Sequence, residues 1–326
     1  MIVRWGLDRY PEVLAHLGVD DPLVVTTPRW REIAAGLRPR ATFAGVEPHV
    51  PARTVDEAER LVAGADVLVA VGGGSAIDTA KAASARTGLP VASIPTTYSG
   101  AEWTASFGVR DEERRRKGGG SGARVAGIVY EPELTLSLGR AETGGTALNA
   151  LAHCAEALYV AGRNDAADAE ALAGAAAISR ALPRTLKDGR DREARRQLLE
   201  GAAPAGAALA GAGLGLAHAM AQALGGRHAV PHGAANALCL APALRFNEPV
   251  AGDALTRLAR AMASADAAAR AEELARLAGF ERLRSLGVRA EELPLVAEAV
   301  VERPGAKANP RPADAAEILE LLRSIW

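Results

Sequence analysis

A run of glycines between a buried strand and a helix constrains the fold of this chain more than any other feature. Residues 66–71 are almost continuously apolar, Gly72-Gly73-Gly74-Ser75 follows directly, and residues 77–85 have a helical pattern. A second apolar run covers residues 90–95. Continuous apolar strands are typical of parallel sheets buried on both faces. The segment therefore predicts a βαβ unit with a right-handed crossover.

The sequence predicts two domains that meet near residue 140. Residues 1–140 alternate short apolar strands with helices, with further strands at 23–27 and 125–130, which predicts an α/β domain with a doubly wound, mostly parallel sheet. Residues 141–326 are rich in Ala and Leu with helical periodicity, which predicts an all-α domain. There, Pro183 is expected to end a helix over 166–182, and separate helices are predicted over 193–203 and 205–224.

Charge and cysteine content argue against several classes of protein. Lys+Arg 38 and Asp+Glu 39 give a net charge of −1, whereas general polyanion binders carry a basic excess. No apolar run reaches the roughly 18 residues that span a bilayer, no signal peptide is visible, and two cysteines cannot form a disulfide framework. We expect a cytoplasmic protein with no nucleic-acid or membrane partner. The charged run 111–117 predicts a solvated hairpin or loop.

Two loops at the ends of the predicted strands favour a nucleotide phosphate site. Glycines let a backbone approach a phosphate, and the N-terminus of the next helix offers free N–H groups. Asp78 and Lys81 lie near the start of that helix, but the run matches neither G-x-G-x-x-G nor the P-loop, so an ordinary strand-to-helix turn is the alternative. The second loop, residues 95–102, adds hydroxyl groups at the same carboxyl edge of the sheet, where open α/β sheets bind ligands. Its hydroxyl residues are Thr96, Thr97 and Ser99.

A polar cluster is predicted in the helical domain. Asn149 and His153 are four residues apart and therefore share one helical face, and His218 and His232 lie on later apolar segments or their loops. A single histidine is more often structural than functional, but three of the six histidines in such surroundings favour a shared site. Three His and a carboxylate would suit a transition metal. Here the fourth candidate is Asn149, a neutral and poorer ligand.

These motifs resemble those of the iron-containing (group III) alcohol dehydrogenases, and within that family those of the maleylacetate reductases. Residues 72–81 match the family loop GGGSxxDxxK, and residues 94–102 resemble its second cofactor loop. Residues 147–159 are similar to the reductase form of its metal motif. Residues 215–232 and 309–312 also fit. The resemblance spans nearly the whole chain and implies the dehydroquinate synthase-like fold of this family, with the active site in the cleft between the domains.

The resemblance also implies roles for individual residues. In metal-dependent members one Asp and three His bind the metal, and the matching positions here are Asn149, His153, His218 and His232, which are the expected catalytic residues. Because Asn lacks the charge of Asp, we expect no bound metal; if one is bound, its ligands are His153, His218 and His232. The residues expected to bind NADH or NADPH are Gly72, Gly73, Gly74, Ser75, Asp78, Lys81, Thr96, Thr97 and Ser99.

The implied reaction is the NAD(P)H-dependent reduction of the C=C bond of maleylacetate, or of a close relative, to 3-oxoadipate in aromatic-compound catabolism. Arg163, Arg227 and Lys307 are candidate cations for the carboxylates of such a dicarboxylate substrate. The turn after the first predicted strand has no acid to repel the 2′-phosphate of NADPH, and Arg29 and Arg31 lie nearby. Use of both NADH and NADPH is therefore expected, and the resemblance favours NADH.

One departure from the family pattern leaves alternatives open. Relatives usually have a further His four residues after His218, where this chain has Gln222, which cannot act as an acid near neutral pH. His228 is a candidate replacement. The alternatives are a metal-dependent alcohol or aldehyde dehydrogenase in which Asn149 still binds the metal, and a nucleotide-binding homologue with a changed function. The Ala-rich helices with few charges offer a dimer face, so a homodimer is expected.

Overall fold

The computed structural model describes residues 1–111, 113–114 and 116–326. They form two compact units, one containing residues 1–97 and 101–137 and the other containing residues 98–100 and 138–326. The sequence placed the boundary after residue 140 and assigned the whole second loop to the first domain. The structure instead assigns Tyr98–Gly100 to the helical unit, where these residues make the hydrogen bonds described below.

The first unit is built on a parallel sheet. Six strands lie in the order β1-β8-β5-β4-β2-β3, and every pairing between neighbours is parallel. The four strands predicted in this unit are confirmed as β2, β4, β5 and β8. The short β1 and β3 were not predicted, because three or four residues are too few to establish a pattern. In the described residues the strands are β1 (Ile2–Trp5), β2 (Pro22–Thr26), β3 (Ala41–Phe43), β4 (Val67–Gly72), β5 (Pro90–Pro95), β6 (Phe107–Asp111), β7 (Arg116–Gly120) and β8 (Arg124–Tyr130).

Both faces of this sheet are covered by helices, as a doubly wound sheet requires. The helices of the unit are α1 (Tyr10–Leu17), α2 (Arg31–Gly36), α3 (Ala52–Glu59) and α4 (Gly74–Thr87). Val24 and Val69 pack with residues of α1 and α2 in one buried cluster. Their chain neighbours Leu23 and Leu68 pack with residues of α3 and α4 in another. Since side chains alternate between the faces of a strand, this division explains why β2 and β4 are apolar throughout.

The strands on either side of the charged segment, β6 and β7, pair with each other. Strands β6 and β7 pair antiparallel, with Phe107 opposite Gly120 and Asp111 opposite Arg116. The prediction of a hairpin or loop over residues 111–117 agrees with this pairing, although Glu112 and Arg115 lie outside the described residues.

The second unit is helical, but two of its predicted helix ends are wrong. Its helices are α5 (Arg140–Ala157), α6 (Asp165–Lys187), α7 (Arg192–Ala212), α8 (Leu216–His228), α9 (His232–Ala261), α10 (Ala267–Ala278), α11 (Leu293–Val301), α12 (Pro304–Lys307) and α13 (Ala315–Ser324). Helix α6 continues through Pro183, and α7 continues through Pro204. Leu182 and Ala205 beside these prolines are fully buried, so packing outweighs the cost of about 3 kcal/mol for an interior proline. The break comes instead at Gly213, whose φ is +93°.

Within the described part of the chain, no single helix has the length and apolar character needed to cross a membrane. One bent pair, α7 with α8 at 98°, passes that test by length and composition alone.

The first unit contains a buried carboxylate, Glu102, which is 2% exposed. Its Oε1 accepts a hydrogen bond from the Tyr130 hydroxyl at 2.7 Å, and the Trp103 indole donates to the same hydroxyl at 2.7 Å. Among the described residues its Oε2 has no partner. Burial raises the pKa of Glu102, while hydrogen bonds and the charge of Lys81 oppose the shift.

We expect Glu102→Gln to stabilise the protein increasingly as pH rises. Because the pKa of Glu102 is raised in the folded state, the unfolded state releases this proton first as pH rises. Above the unfolded-state value near 4.5, the free energy of unfolding of the wild type therefore falls by up to about 1.4 kcal/mol per pH unit. Unfolding in urea between about pH 4.5 and 8 measures the difference between wild type and variant. Glu57→Gln, at an exposed position, is the control, and a Glu102→Gln effect that does not change with pH would contradict the assignment.

Candidate active site

The predicted phosphate loop forms a narrow cradle between two strand ends. Gly72 pairs with Pro95 at the ends of β4 and β5, and its carbonyl accepts the N–H of Thr96 at 3.0 Å. Gly73 caps α4, and a Cβ added there would lie 2.8 Å from Cγ2 of Thr97. Only glycine allows this approach without displacing Thr97. Among the described residues Thr97 Oγ1 is buried without a hydrogen-bond partner, which is typical of a hydroxyl group that binds a ligand.

Asp78 and Lys81 hold the backbone of the following segment. The Asp78 carboxylate accepts the N–H of Gly108 at 3.0 Å and lies 3.0 Å from the Lys81 ammonium. That ammonium is 1% exposed and donates to the carbonyls of Ala101 and Ser106. The charged atoms therefore form hydrogen bonds with the backbone of residues 101–108. Direct contact of Asp78 or Lys81 with a cofactor stays a prediction.

The tripeptide Tyr98–Gly100 is anchored in the helical unit by a buried arginine. Arg195 on α7 is 2% exposed and donates to the Tyr98 hydroxyl at 3.3 Å, to Thr143 Oγ1 at 3.1 Å and to the Leu138 carbonyl at 3.1 Å. Gly100 has a φ of +72°, and a Cβ there would lie 3.3 Å from Nδ1 of His153. The structure therefore places predicted Ser99 beside the histidines of its own unit.

Three imidazoles lie close together in the helical unit. The ring centroids of His153 and His218 are 4.7 Å apart with an interplanar angle of 14°, and the His232 centroid is 5.8 Å from that of His218. Asn149, one turn before His153 on α5, has its Nδ2 3.5 Å from Nε2 of that ring. The structure thus brings the four predicted catalytic residues together. Their catalytic role stays a prediction.

Glu156 fixes the orientation of His218. Its buried carboxylate accepts Nδ1–H of His218 at 2.7 Å, the backbone N–H of Gly215 at 2.7 Å and the backbone N–H of His218 at 3.2 Å. It therefore accepts hydrogen bonds from two backbone N–H groups at the start of α8 and, at the same time, fixes one nitrogen of the His218 ring. Among the described residues Nε2 of His218 is buried without a partner, so this nitrogen is available to a ligand.

His153 is held in its neutral form. Burial, and secondarily the neighbouring His218 ring, lower the pKa of His153 well below its usual value. Nδ1 of His153 is buried without a partner in the described part of the chain, and its Nε2 faces the donor Nδ2 of Asn149. The neutral ring therefore carries its proton on Nδ1, where it can donate a hydrogen bond.

Asn149, at the position where the resemblance implies a metal-binding carboxylate, belongs to a network of hydrogen bonds. Nδ2 of Asn149 donates to the Ser99 carbonyl at 3.0 Å, and Oδ1 accepts from Nδ2 of Asn236 at 2.7 Å, so both ends of the amide are occupied. The same Asn236 nitrogen lies 3.1 Å from Nε2 of His232. Among the described residues no three His, Cys, Asp or Glu side chains are arranged to hold a metal ion.

Two glycines allow α5 and α9 to meet beside His232. A Cβ on Gly233 would lie 2.5 Å from the carbonyl carbon of Gly145 and 2.6 Å from its oxygen. Because both contacts are with backbone atoms, no side-chain rotation could relieve them. The first turn of α9, which carries His232, can therefore approach α5 only because Gly233 has no side chain.

The remaining candidate residues pair away from the histidines. The Nε2 atom of His228 is 3.2 Å from the Glu292 carboxylate, so the structure places the candidate replacement histidine in an ion-pair network with Arg227. Arg163 lies 3.8 Å from Asp168, and Lys307 lies 3.2 Å from Glu302. Gln222 has a different partner, because its Oε1 accepts from Arg303 at 3.3 Å.

Comparison with known proteins identifies an oxidoreductase. Residues 4–127 match the family model "Iron-containing alcohol dehydrogenase", and residues 143–326 match the family model "Fe-containing alcohol dehydrogenase family, C-terminal". The chain belongs to the iron-containing alcohol dehydrogenase family.

Within that family, the relatives to which this chain is similar include maleylacetate reductases. The chain is 35% identical over 318 residues to maleylacetate reductase 1 of Cupriavidus pinatubonensis, covering 95% of this chain and 90% of the relative. It is 37% identical over 297 residues to the maleylacetate reductase of Burkholderia cepacia, covering 90% and 82%. The crystal structure of maleylacetate reductase from Agrobacterium tumefaciens superposes with a TM-score of 0.90 at 32% identity, covering 100% of this chain and 95% of that one. The predicted family and fold are confirmed.

Sequence reasoning missed two features of the histidine cluster. It did not connect Glu156 with His218, which is 62 residues away. It did not identify Asn236, although the spacing of four residues from His232 repeats that of Asn149 and His153. That repeated spacing was the available signal.

Proposed function

We propose that this chain reduces the C=C bond of maleylacetate, or of a closely related dicarboxylate, to the 3-oxoadipate product without a bound metal. The observation that carries the proposal is Asn149, whose amide replaces the family carboxylate and uses both ends in hydrogen bonds. A neutral amide engaged in this way is a poor ligand for a divalent ion. The relatives named maleylacetate reductase supply the substrate class.

The first unit provides a cradle that fits the phosphates of a nicotinamide dinucleotide. The glycine loop offers close backbone approach, the start of α4 offers N–H groups, and the buried Thr97 hydroxyl offers a further contact. A cavity of about 450 Å³ beyond β2 and β3 is lined by Arg31, Thr42, Ala44 and Gly45. Since Arg31 can oppose the charge of a 2′-phosphate, we propose use of both NADH and NADPH.

The histidines suit the charge that this reaction develops. A bound nicotinamide would supply a hydride, and transfer of that hydride to the alkene carbon β to the ketone would leave negative charge on the ketone oxygen as an enolate. Nδ1–H of His153 and, in the protonated ring, Nε2–H of His218 are buried donors for that oxygen. The negative charge of Glu156, 2.7 Å from Nδ1 of His218, would stabilise the positive charge of that ring in its protonated form. Transfer of a proton from a ring N–H to the α-carbon then completes the reduction.

The substrate carboxylates require cations, and the pairing of Arg163, Arg227 and Lys307 with acids disfavours all three. Gln222 lies one turn beyond His218 on α8 and accepts a hydrogen bond from Arg303. We propose that Gln222 orients the Arg303 side chain and does not relay protons.

The test is oxidation of NADH and of NADPH with maleylacetate, each with and without a strong chelator. Turnover that resists the chelator, with the two kcat/KM values within a hundredfold of each other, is the expected result. Loss of activity with chelator would contradict the metal-free site and favour the metal-dependent alternative. Absence of turnover with either cofactor would contradict the proposed activity.

We also propose a cytoplasmic homodimer without nucleic-acid or membrane partners. The charge balance and the two buried, unpaired cysteines support the compartment. The Ala-rich helices support the dimer, and light scattering during gel filtration should give twice the mass of one chain.

A further inference from the structure

A chain of hydrogen bonds runs from the backbone of Ser99 to the ring of His232. A carbonyl oxygen can only accept, so the Asn149 atom that lies 3.0 Å from the Ser99 oxygen must be the amide nitrogen Nδ2. Oδ1 of Asn149 then faces Asn236, whose nearest atom at 2.7 Å must be the donor Nδ2. One backbone carbonyl therefore orients two side-chain amides.

The same logic determines which nitrogen of His232 is protonated. Nδ2 of Asn236 lies 2.7 Å from Oδ1 of Asn149, 3.1 Å from Nε2 of His232 and 3.3 Å from the backbone carbonyl of His232. Because an amide nitrogen donates and does not accept, Nε2 of the ring must be the acceptor in its contact with this nitrogen. The neutral His232 ring therefore carries its proton on Nδ1.

The burial of Asn236 indicates that its amide is kept for this geometry. The residue is 0% exposed on α9, and Ala235 and Ala237 beside it are buried as well. Among the described residues its Oδ1 has no hydrogen-bond partner. An apolar side chain would avoid that unsatisfied oxygen, so packing alone does not account for an asparagine here.

We infer that Asn236 is a positioning residue that acts through Asn149 and His232, and that this amide chain orients two of the three imidazoles, those of His153 and His232, where no metal ion does so. The inference rests on the proposed metal-independent function. It also accounts for Asn149, since a carboxylate there would place an acceptor against the Ser99 carbonyl. The donor needed to begin the chain would then be missing.

The first test measures the tautomer of His232 in the full-length wild-type protein. Two-bond ¹H–¹⁵N NMR with ¹⁵N-labelled histidine, at about pH 8 and thus above the ordinary histidine pKa of about 6.5, distinguishes the two ring nitrogens. Comparison with His232→Gln assigns the signal among the six histidines. The expected state is Nδ1–H, and a ring protonated on Nε2 would overturn the inference without any further variant.

The second test is Asn236→Asp. A carboxylate at this position accepts instead of donating, so the proton of His232 should move to Nε2, and kcat should fall about 10- to 100-fold with KM for NADPH unchanged. The matched control is Asn247→Asp, because Asn247 lies on the same helix and exchanges hydrogen bonds of 2.9 and 2.7 Å with Asn309. The control should keep the wild-type tautomer and kcat, even where its melting temperature falls.

These measurements separate the inference from the proposed function. An Asn236→Asp variant that keeps the Nδ1–H tautomer and wild-type kcat would overturn the positioning role. The tautomer measurement needs no substrate, so an Nδ1–H ring in a protein that fails to reduce maleylacetate would contradict the substrate proposal alone.

Discussion

Replacement of Glu156 by Gln is expected to lower kcat about 100-fold while KM for NADH or NADPH changes little. The carboxylate accepts three N–H groups, including Nδ1–H of His218 at 2.7 Å. An amide offers one oxygen and an NH₂ group, so one of those three donors must face another donor. It also lacks the charge that stabilises a protonated His218 ring, and charge-assisted bonds are roughly twice as strong as neutral ones. Steady-state kinetics with each substrate varied in turn measures both parameters.

Glu142→Gln is the control for this experiment. Glu142 lies on the same helix, and its side chain accepts the backbone N–H of Gly139 at 3.2 Å at the helix start. Glutamine performs the same capping function, so kcat should be unchanged. Equal losses in the two variants would show that His218 does not depend on the Glu156 charge.

Replacement of Gly233 by Ala is expected to destabilise the protein by about 1–3 kcal/mol and to lower kcat about 100-fold. The new Cβ would lie within 2.6 Å of the Gly145 carbonyl carbon and oxygen, so α9 must move away from α5. His232 directly precedes Gly233 and would move with it. Urea unfolding measures the loss of stability, and kcat measured well below the transition measures the displacement of the ring.

Gly252→Ala is the control, at a position directly after the kink of α9 at Ala251. A Cβ at Gly252 would have no heavy atom within 4 Å. Because nothing is displaced there, this variant should be about as stable as wild type. If Gly233→Ala behaved like this control, the close crossing of α5 and α9 would be wrong.

The elements predicted well from the sequence are those with a strong local pattern. Strands β4 and β5 are buried on both faces, so their apolar runs stand out, and the glycine loop between β4 and α4 marks a turn by composition alone. The spacing of Asn149 and His153 identifies one polar face on α5 for the same reason. Each of these signals lies within about a dozen residues of chain.

Features that depend on distant partners could not be predicted in this way. Asn236 is one polar residue in an Ala- and Leu-rich helix until Asn149, 87 residues earlier, is placed beside it. The contact between His228 and Glu292 likewise joins residues that are far apart in the sequence, so no local pattern indicates it. Pro204 has the character of a helix terminator, yet packing around α7 outweighs that local preference.

The assignment of Tyr98–Gly100 to the helical unit has a consequence for the inheritance of this fold. Recombination that exchanged residues 1–137 as one block would import a foreign tripeptide against Arg195, Asn149 and His153. An exchange of the first unit that keeps these three residues needs crossovers on both sides of the tripeptide, or a donor that carries the same tripeptide. In this chain, therefore, a single crossover cannot exchange one unit without also changing residues of the other.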